Sequence, residues 1–433
     1  MLQRFLDFID RQHLFTKGEE VLLAVSGGRD SVAMADLMAR AGYRFAIAHC
    51  NFNLRPGDCD RDEAFVRSLA ESLGATFHVV SFNTRAVAAD SGESIEEAAR
   101  RLRYEWFATL CRDHGYACVA TAHHRDDAVE TFFLNLFRGT GIAGLHGIRP
   151  AAAGVVRPML CFSRADIDRY VAERGLAYVE DCTNLELDAR RNRIRLQLMP
   201  LLRQLYPSVD ATMEANIARL ADVETVYRAH IEELRSRLAT PQAPRLPVAG
   251  WQMTEFSLAD LAALSPRATL LYELLAPYGF SPSVASDVEA ALDAPRTGSR
   301  FLSPTHEAVV DRDSLLVAPR REPQPPAVQV EPCAPVQRSC DVDEALVDAD
   351  LLCQPLTLRL WRDGDRFRPF GMAHERLVSD FLKDCKLNLI EKNHLYLMVD
   401  ADDRIVWLVG LRADDRFRLT SASRNGLRLS VLR

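Results

Sequence analysis

Several absences narrow the field before any motif is read. No apolar run approaches the roughly 20 residues that a membrane-spanning helix needs. The opening Met1-Leu2-Gln3-Arg4-Phe5-Leu6-Asp7-Phe8-Ile9-Asp10 interleaves acids with apolar residues like an amphipathic helix, unlike a secretory leader. A cytoplasmic protein without membrane contact is the default expectation. The 10 cysteines include no C-x-x-C pair and no zinc-ribbon spacing, so they read as reduced core residues rather than a metal or redox framework. Positive charge is not in excess: 53 Lys+Arg stand against 60 Asp+Glu, a formal net charge of −7. That excludes a protein coated in positive charge, although nucleic acid needs only a local basic patch. No internal repeat with a period of about 20–50 residues marks a solenoid.

What remains is a chain of 433 residues, 48% hydrophobic, long enough for two or three domains. It is organised around Val21-Leu22-Leu23-Ala24-Val25-Ser26-Gly27-Gly28-Arg29-Asp30-Ser31. The apolar run has the length and branching of a buried strand, and Val32 to Met38 has helical periodicity. A strand, a tight turn and a helix start aim unpaired backbone N–H groups and the positive end of a helix dipole at one point. An anion, usually phosphate, is the expected guest. Ser26, Ser31 and the Gly27-Gly28 amides form the candidate cradle, and Asp30 a carboxylate that orders a metal or braces the loop. The Walker spacing and its lysine are absent, and so is G-x-G-x-x-G. A plain βα connection with Ser31 as helix cap is the bland alternative.

Downstream, strands are expected at Tyr43–His49, Thr76–Phe82 and Ala117–Ala122, with helices at Asp58–Leu73, Ile95–Cys111, Asp126–Phe137 and Arg164–Arg174. This alternation predicts an α/β fold with a parallel, doubly wound sheet, its ligands beyond the carboxyl ends of the strands. A basic helix is expected from Ala189 to Met199 and a long amphipathic one from Val209 to Leu238. The resulting domain expectation is a catalytic part over 1–208, a mostly helical accessory part over 209–319, a proline-rich linker over 320–337 and a small α+β module over 338–433.

A second constellation follows the fourth expected strand: His123-His124-Arg125-Asp126-Asp127-Ala128-Val129-Glu130-Thr131. On a helix, His123, Asp127 and Glu130 share one face. Two carboxylates there suit magnesium through hard oxygen ligands, or an ammonium group through charge-assisted hydrogen bonds. An acidic first turn stabilised by the helix dipole is the structural alternative. The run Arg190-Arg191-Asn192-Arg193-Ile194-Arg195 supplies a basic patch that the overall charge hides, or else a solvated helix face.

Ser26-Gly27-Gly28-Arg29-Asp30-Ser31 resembles the pyrophosphate loop of the N-type ATP pyrophosphatases, the PP-loop superfamily. The likeness narrows to one branch, the tRNA(Ile)-lysidine synthetases. It is carried by Asn51 to Arg55, Ala99-Arg100-Arg101-Leu102-Arg103-Tyr104, the His123 to Thr131 stretch, Arg138 to Leu145, Arg157-Pro158-Met159-Leu160, Asp181 to Asn184 and Arg191 to Arg195. The carboxy-terminal half resembles the family's accessory domains more loosely, chiefly at Arg362 to Phe367.

This resemblance implies ATP-dependent attachment of free L-lysine to C2 of the wobble cytidine in CAU-anticodon isoleucine tRNA, through an adenylated base, with ATP and Mg2+ as cofactors. A homodimer is compatible with it. Ser26, Gly27, Gly28, Arg29, Asp30 and Ser31 are then the ATP-binding residues, with Asp30 also toward magnesium. Asp30, Arg103 and Asp127 are the expected catalytic residues, Arg103 facing the α-phosphate because a guanidinium suits it bidentately. Asp127, Glu130 and Arg195 fall to lysine, and Arg190, Arg191 and Arg193 to tRNA. A tRNA thiolase, an amide-forming synthetase and a non-catalytic tRNA-binding module are the rivals. The first requires a nucleophilic or paired cysteine, and the second an ammonia source such as an amino-terminal glutaminase.

Overall fold

A computed structural model describes residues 1–53, 58–179, 190–247, 251–335 and 341–432. The chain forms two compact units, Met1–Tyr227 and Arg228–Arg433.

The first unit is built on β1 (Glu20–Ala24), whose side chains alternate between two cores. Val21 and Leu23 join a core with residues of α1 (Leu2–Arg11) and α2 (Arg29–Ala41), whereas Leu22 faces the other side with Ala46 and Ala48 of β2 (Arg44–Asn51). The chain continues through α3 (Asp58–Ser72), β3 (Thr76–Ser81), α4 (Thr84–Ser91), α5 (Ile95–His114), β4 (Val119–Ala120), α6 (Arg125–Arg138), α7 (Ile142–Leu145), β5 (Ala151–Ala152), β6 (Val155–Val156) and α8 (Arg164–Arg174). Phe107 and Leu110 of α5 cover the Leu22 face, and Ile167, Tyr170 and Val171 of α8 cover the other. A strand covered on both sides has no solvent face, which is why β1 reads as an unbroken apolar run.

The sheet order is β3-β2-β1-β4-β6-β5, parallel except for β5 against β6. After β3 the chain returns to place β4 on the free side of β1, with Leu22 opposite Val119 and Leu23 opposite Ala120. Strand order therefore reverses between β1 and β4, and the loops leaving both strands flank the crevice where doubly wound sheets bind ligands.

Three expectations shift. The fourth strand contracts from Ala117–Ala122 to Val119–Ala120. The helix after it begins at Arg125 with His124 as its N-cap, so His123 precedes the helix rather than sharing its face with Asp127 and Glu130. The single basic helix divides into α9 (Arg190–Arg193), a π turn at Ile194–Leu198 and α10 (Met199–Leu205). Pro200 near the start of α10 has no N–H to donate, and the Met199 N–H reaches back to the Ile194 carbonyl, one residue beyond the α pattern. The expected motif at Asp181–Asn184 and the pair Leu54-Arg55 lie outside the described residues.

The helix α11 (Val209–Leu238) matches its expected span. In the second unit, helices at Leu258–Ala262, Arg267–Leu275 and Pro282–Asp293 accompany a five-stranded antiparallel sheet of Thr240–Gln242, Met253–Ser257, Ser314–Pro319, His306–Asp311 and Arg300–Leu302. Within the proline-dense 320–337 stretch, Val328–Cys333 forms an edge strand against Gly426–Val431. Pro332 is tolerated there because an edge strand can leave one side of its backbone unpaired. The carboxy-terminal part is the expected α+β type: a four-stranded sheet of Thr357–Leu360, Tyr396–Val399, Ile405–Leu408 and Arg412–Ala413, with helices at Val378–Asp384 and Leu389–Asn393.

Candidate active site

The loop after β1 is held open by glycine at one position and tied by hydroxyls at two. Gly27 has φ +90°, and a Cβ there would lie 3.3 Å from Val66 Cγ2. Its carbonyl accepts a hydrogen bond from the Val179 N–H at 2.9 Å. Gly28 caps α2 in an extended conformation, and its N–H donates to Ser26 Oγ at 3.3 Å. Ser26 is exposed. Ser31 is buried and donates to the Gly28 carbonyl at 2.8 Å, so its hydroxyl braces the turn. The guanidinium of Arg29 is committed to Asp168 and lies 4.8 Å from the centre of the Tyr178 ring. What the loop leaves for an anion is the exposed Ser26 and the amides of the first turn of α2, which have no intrahelical acceptors.

Asp30 links this loop to the one after β4. One carboxylate oxygen accepts from Arg164 Nη1 at 2.8 Å, while the Arg164 backbone N–H donates to Asp126 at 2.8 Å. Burial raises the Asp30 carboxyl above its ordinary range, with Asp127 adding to the rise and His124 and Arg164 opposing it. Between these acids sits His124, 1% exposed. Its Nε2 lies 4.0 Å from Asp30 Oδ2 and 3.4 Å from Asp127 Oδ2, and its Nδ1 3.7 Å from Asp126 Oδ2. Neither ring nitrogen makes a hydrogen bond among the described residues.

The two carboxylates expected to hold an amine are already occupied. Glu130, 2% exposed, accepts from Arg191 Nε at 2.7 Å and from Arg195 Nε at 2.6 Å. Asp127 accepts from Arg191 Nη2 at 3.0 Å and from Arg195 Nη2 at 3.4 Å, and from the His124 N–H at 2.9 Å. Burial would raise the Asp127 carboxyl, but His124 and Arg191 outweigh it and hold the group below its ordinary range. Arg191 and Arg195 are thus bound internally in this structure, whereas Arg190 and Arg193 of the same basic run are exposed.

Arg103 has no ion pair among the described residues; Glu97 of the same helix is taken up by the capping box with Ser94. The Arg103 guanidinium lies 5.1 Å from the Phe52 ring centre. Nearby, the His123 imidazole is pushed down to about 4 by burial, with Asp127 opposing the shift and Arg157, Arg191 and Arg100 reinforcing it.

A PP-loop domain model matches residues 2–202, a TilS substrate binding domain model residues 252–320, and a TilS substrate C-terminal domain model residues 356–431. The tRNA(Ile)-lysidine synthase of Bacteroides thetaiotaomicron is 38% identical over 98% of this chain and 97% of its own length, and that of Parabacteroides distasonis 38% identical over 98% of each. The chain belongs to the tRNA(Ile)-lysidine synthase family. Its PP-loop domain makes it an ATP-using member. Among solved structures, the U34-tRNA thiolase NcsA from Methanococcus maripaludis is similar with a TM-score of 0.42 and 16% identity, covering 51% of this chain and 78% of that one.

Against this lysidine synthase background, sequence reasoning missed His124 and Arg164. Arg164 lies 134 positions from Asp30, with no motif to connect them. His124 was masked by His123 beside it, and only the start of α6 shows which one enters the acidic cluster. A thiolate nucleophile finds no support among the described cysteines: burial or an adjacent acid raises every one of the seven thiols, Cys50, Cys118 and Cys161 to about 12. No helix of the described residues is long and apolar enough to cross a membrane.

Proposed function

We propose that this chain joins free L-lysine to C2 of the wobble cytidine of CAU-anticodon tRNA(Ile). The observation that carries the proposal is the meeting, at the β1/β4 switch point, of the amide-lined loop at Ser26–Ser31 with the acid–arginine cluster of Asp127, Glu130, Arg191 and Arg195. Family membership along the full chain supports it. The cytosine O2 attacks the α-phosphate of ATP and pyrophosphate departs. The lysine ε-amine then attacks C2, its proton is removed, and the C2–O bond breaks to release AMP.

Ser26 and the amides of Gly27, Gly28, Arg29 and Asp30 cradle the leaving pyrophosphate, and the Ser31 hydroxyl keeps the turn in shape. Arg103, held against Phe52 without a carboxylate partner among the described residues, meets the charge that builds on the α-phosphate. Asp30 has one oxygen not bonded to Arg164, and a hard carboxylate oxygen beside a phosphate loop fits magnesium. When bound there, magnesium neutralises phosphate charge. Asp127 and Glu130 take the lysine ammonium, Arg195 its carboxylate, and one of the two acids its proton. Arg190, Arg191 and Arg193 meet tRNA phosphates, within a catalytic domain ending near residue 208.

The test incubates the protein with labelled ATP and CAU-anticodon tRNA, with and without lysine. Lysine-dependent AMP release and a lysine-sized mass on one cytidine are expected. A sulfur-sized mass, or pyrophosphate release without tRNA dependence, would sink the reading.

A further inference from the structure

Helix α6 continues past the catalytic carboxylates to an exposed aromatic side chain that the chemistry above leaves unused. Phe137 follows Glu130 by seven positions, nearly two turns, so the two share a face about 10 Å apart along the helix. The Phe137 side chain is exposed, with 65% of the residue open to solvent. It is not loose: its ring stacks on Phe133 at 5.9 Å with an interplanar angle of 27°, and Phe132 meets Phe133 edge-on at 5.4 Å. Phe132 and Phe133 are in turn packed against buried Val129, Ile194, Met199, Val209 and Met213. The exposed ring is therefore the outer end of an aromatic ladder anchored in a core.

Guanidinium groups surround that ring. A cleft of about 190 Å³ is lined by Leu134, Phe137, Arg138, Arg190, Arg193 and Ile194. Arg138 and Arg190 are exposed and have no carboxylate partner among the described residues. A chain with a net charge of −7 has thus gathered cations around one aromatic face. Arginine and aromatic side chains are also enriched at protein interfaces, but the lining of this cleft holds, among the described residues, three guanidiniums and no carboxylate. Unpaired nucleic acid wants that combination, a π surface for the base and cations for the phosphates on either side.

We propose that Phe137 is a stacking platform for an unpaired anticodon-loop base adjacent to the wobble cytidine, with Arg138, Arg190 and Arg193 taking the flanking phosphates. This rests on the tRNA reading of the site and extends it by a residue outside the reaction. The platform holds the loop in an opened form, so that the target base reaches the Asp127/Glu130 end of α6 while its neighbour stays stacked.

The full-length protein is titrated against a fluorescein-labelled anticodon stem-loop carrying CAU, and KM for the whole tRNA is measured in parallel. Phe137→Ala is expected to weaken binding and raise KM about 5- to 100-fold. The salt slope and thermal midpoint should stay unchanged, because the ring carries no charge and is mostly in solvent. Phe137→Trp should restore affinity and Phe137→Leu should not. Binding of Phe137→Ala within about twofold of wild type overturns the inference. So does rescue by leucine equal to that by tryptophan, which marks an ordinary apolar contact, or a change of oligomeric state in Phe137→Ala, which marks a second copy as the occupant. A wild-type protein that neither binds nor modifies the tRNA removes the parent reading, and this one with it.

Discussion

His124 shows how one buried side chain can join two motifs far apart in sequence. Its Nε2 faces Asp30 and Asp127 and its Nδ1 faces Asp126, without completing a hydrogen bond to any of them. Asp30 is the member of this group that lies in the phosphate loop. Asp30→Ala is expected to lower adenylation about 100-fold or more while leaving tRNA affinity nearly intact. Comparable losses in a filter-binding assay and in pyrophosphate release would contradict a role confined to the nucleotide. His123 makes a different prediction, about stability. Its imidazole is held at about 4 against an ordinary value of 6.5, so between those pH values the unfolded chain binds a proton that the folded chain refuses. The contribution is complete above about 6.5 and is lost as pH falls, reaching about 3 kcal/mol near pH 4. Urea unfolding at pH 7 and 4.5 should show this loss in wild type and a smaller one in His123→Asn. Equal losses in both proteins would assign the effect elsewhere.

Elements were legible where one physical signal dominated. The strand β1 declared itself because burial on both faces leaves no polar position after Glu20, and α8 and α11 because their periodicity ends at clear boundaries. The register of the histidine pair was not legible, since local sequence does not say where α6 starts, and the N-cap is fixed by the Asp127 carboxylate returning to the His124 N–H. Nor was the π turn before Pro200, which arises where a missing donor meets packing of Ile194 and Met199 against α6. Gly27 belongs to this scale because it sets the path from strand to helix. Gly27→Ala must place a side chain at φ +90° and 3.3 Å from Val66 Cγ2. A stability loss of about 1–3 kcal/mol is expected, together with a rise in KM for ATP of about tenfold or more as the amides lose their aim. An unchanged KM for ATP would show that the loop does not grip the nucleotide.

For the whole molecule, average charge is a poor guide to its partner. The net −7 coexists with exposed Arg138, Arg190 and Arg193 grouped beside helix α6. Each phosphate contact adds about 0.7–0.9 to the slope of log affinity against log salt. The double variant Arg190→Ala/Arg193→Ala should therefore flatten that slope by about 1.5; an unaltered slope would move the RNA to another face. The α/β catalytic part was readable from its ordered motifs, whereas the sheet of the second unit was not, because Thr240–Gln242 and Arg300–Leu302 are too short to carry an alternation signal. The arginines on Asp127 and Glu130 have a final consequence for the order of events. An amino acid arriving alone meets carboxylates already paired with cationic side chains, so the protein acts as its own competitive inhibitor toward an ammonium group. Lysine titrated calorimetrically into the free protein should give little heat, and a clear isotherm once RNA has drawn Arg191 outward and left Arg195 to turn to the amino acid's carboxylate. Strong binding of lysine by itself would mean that these internal plugs are not in its way.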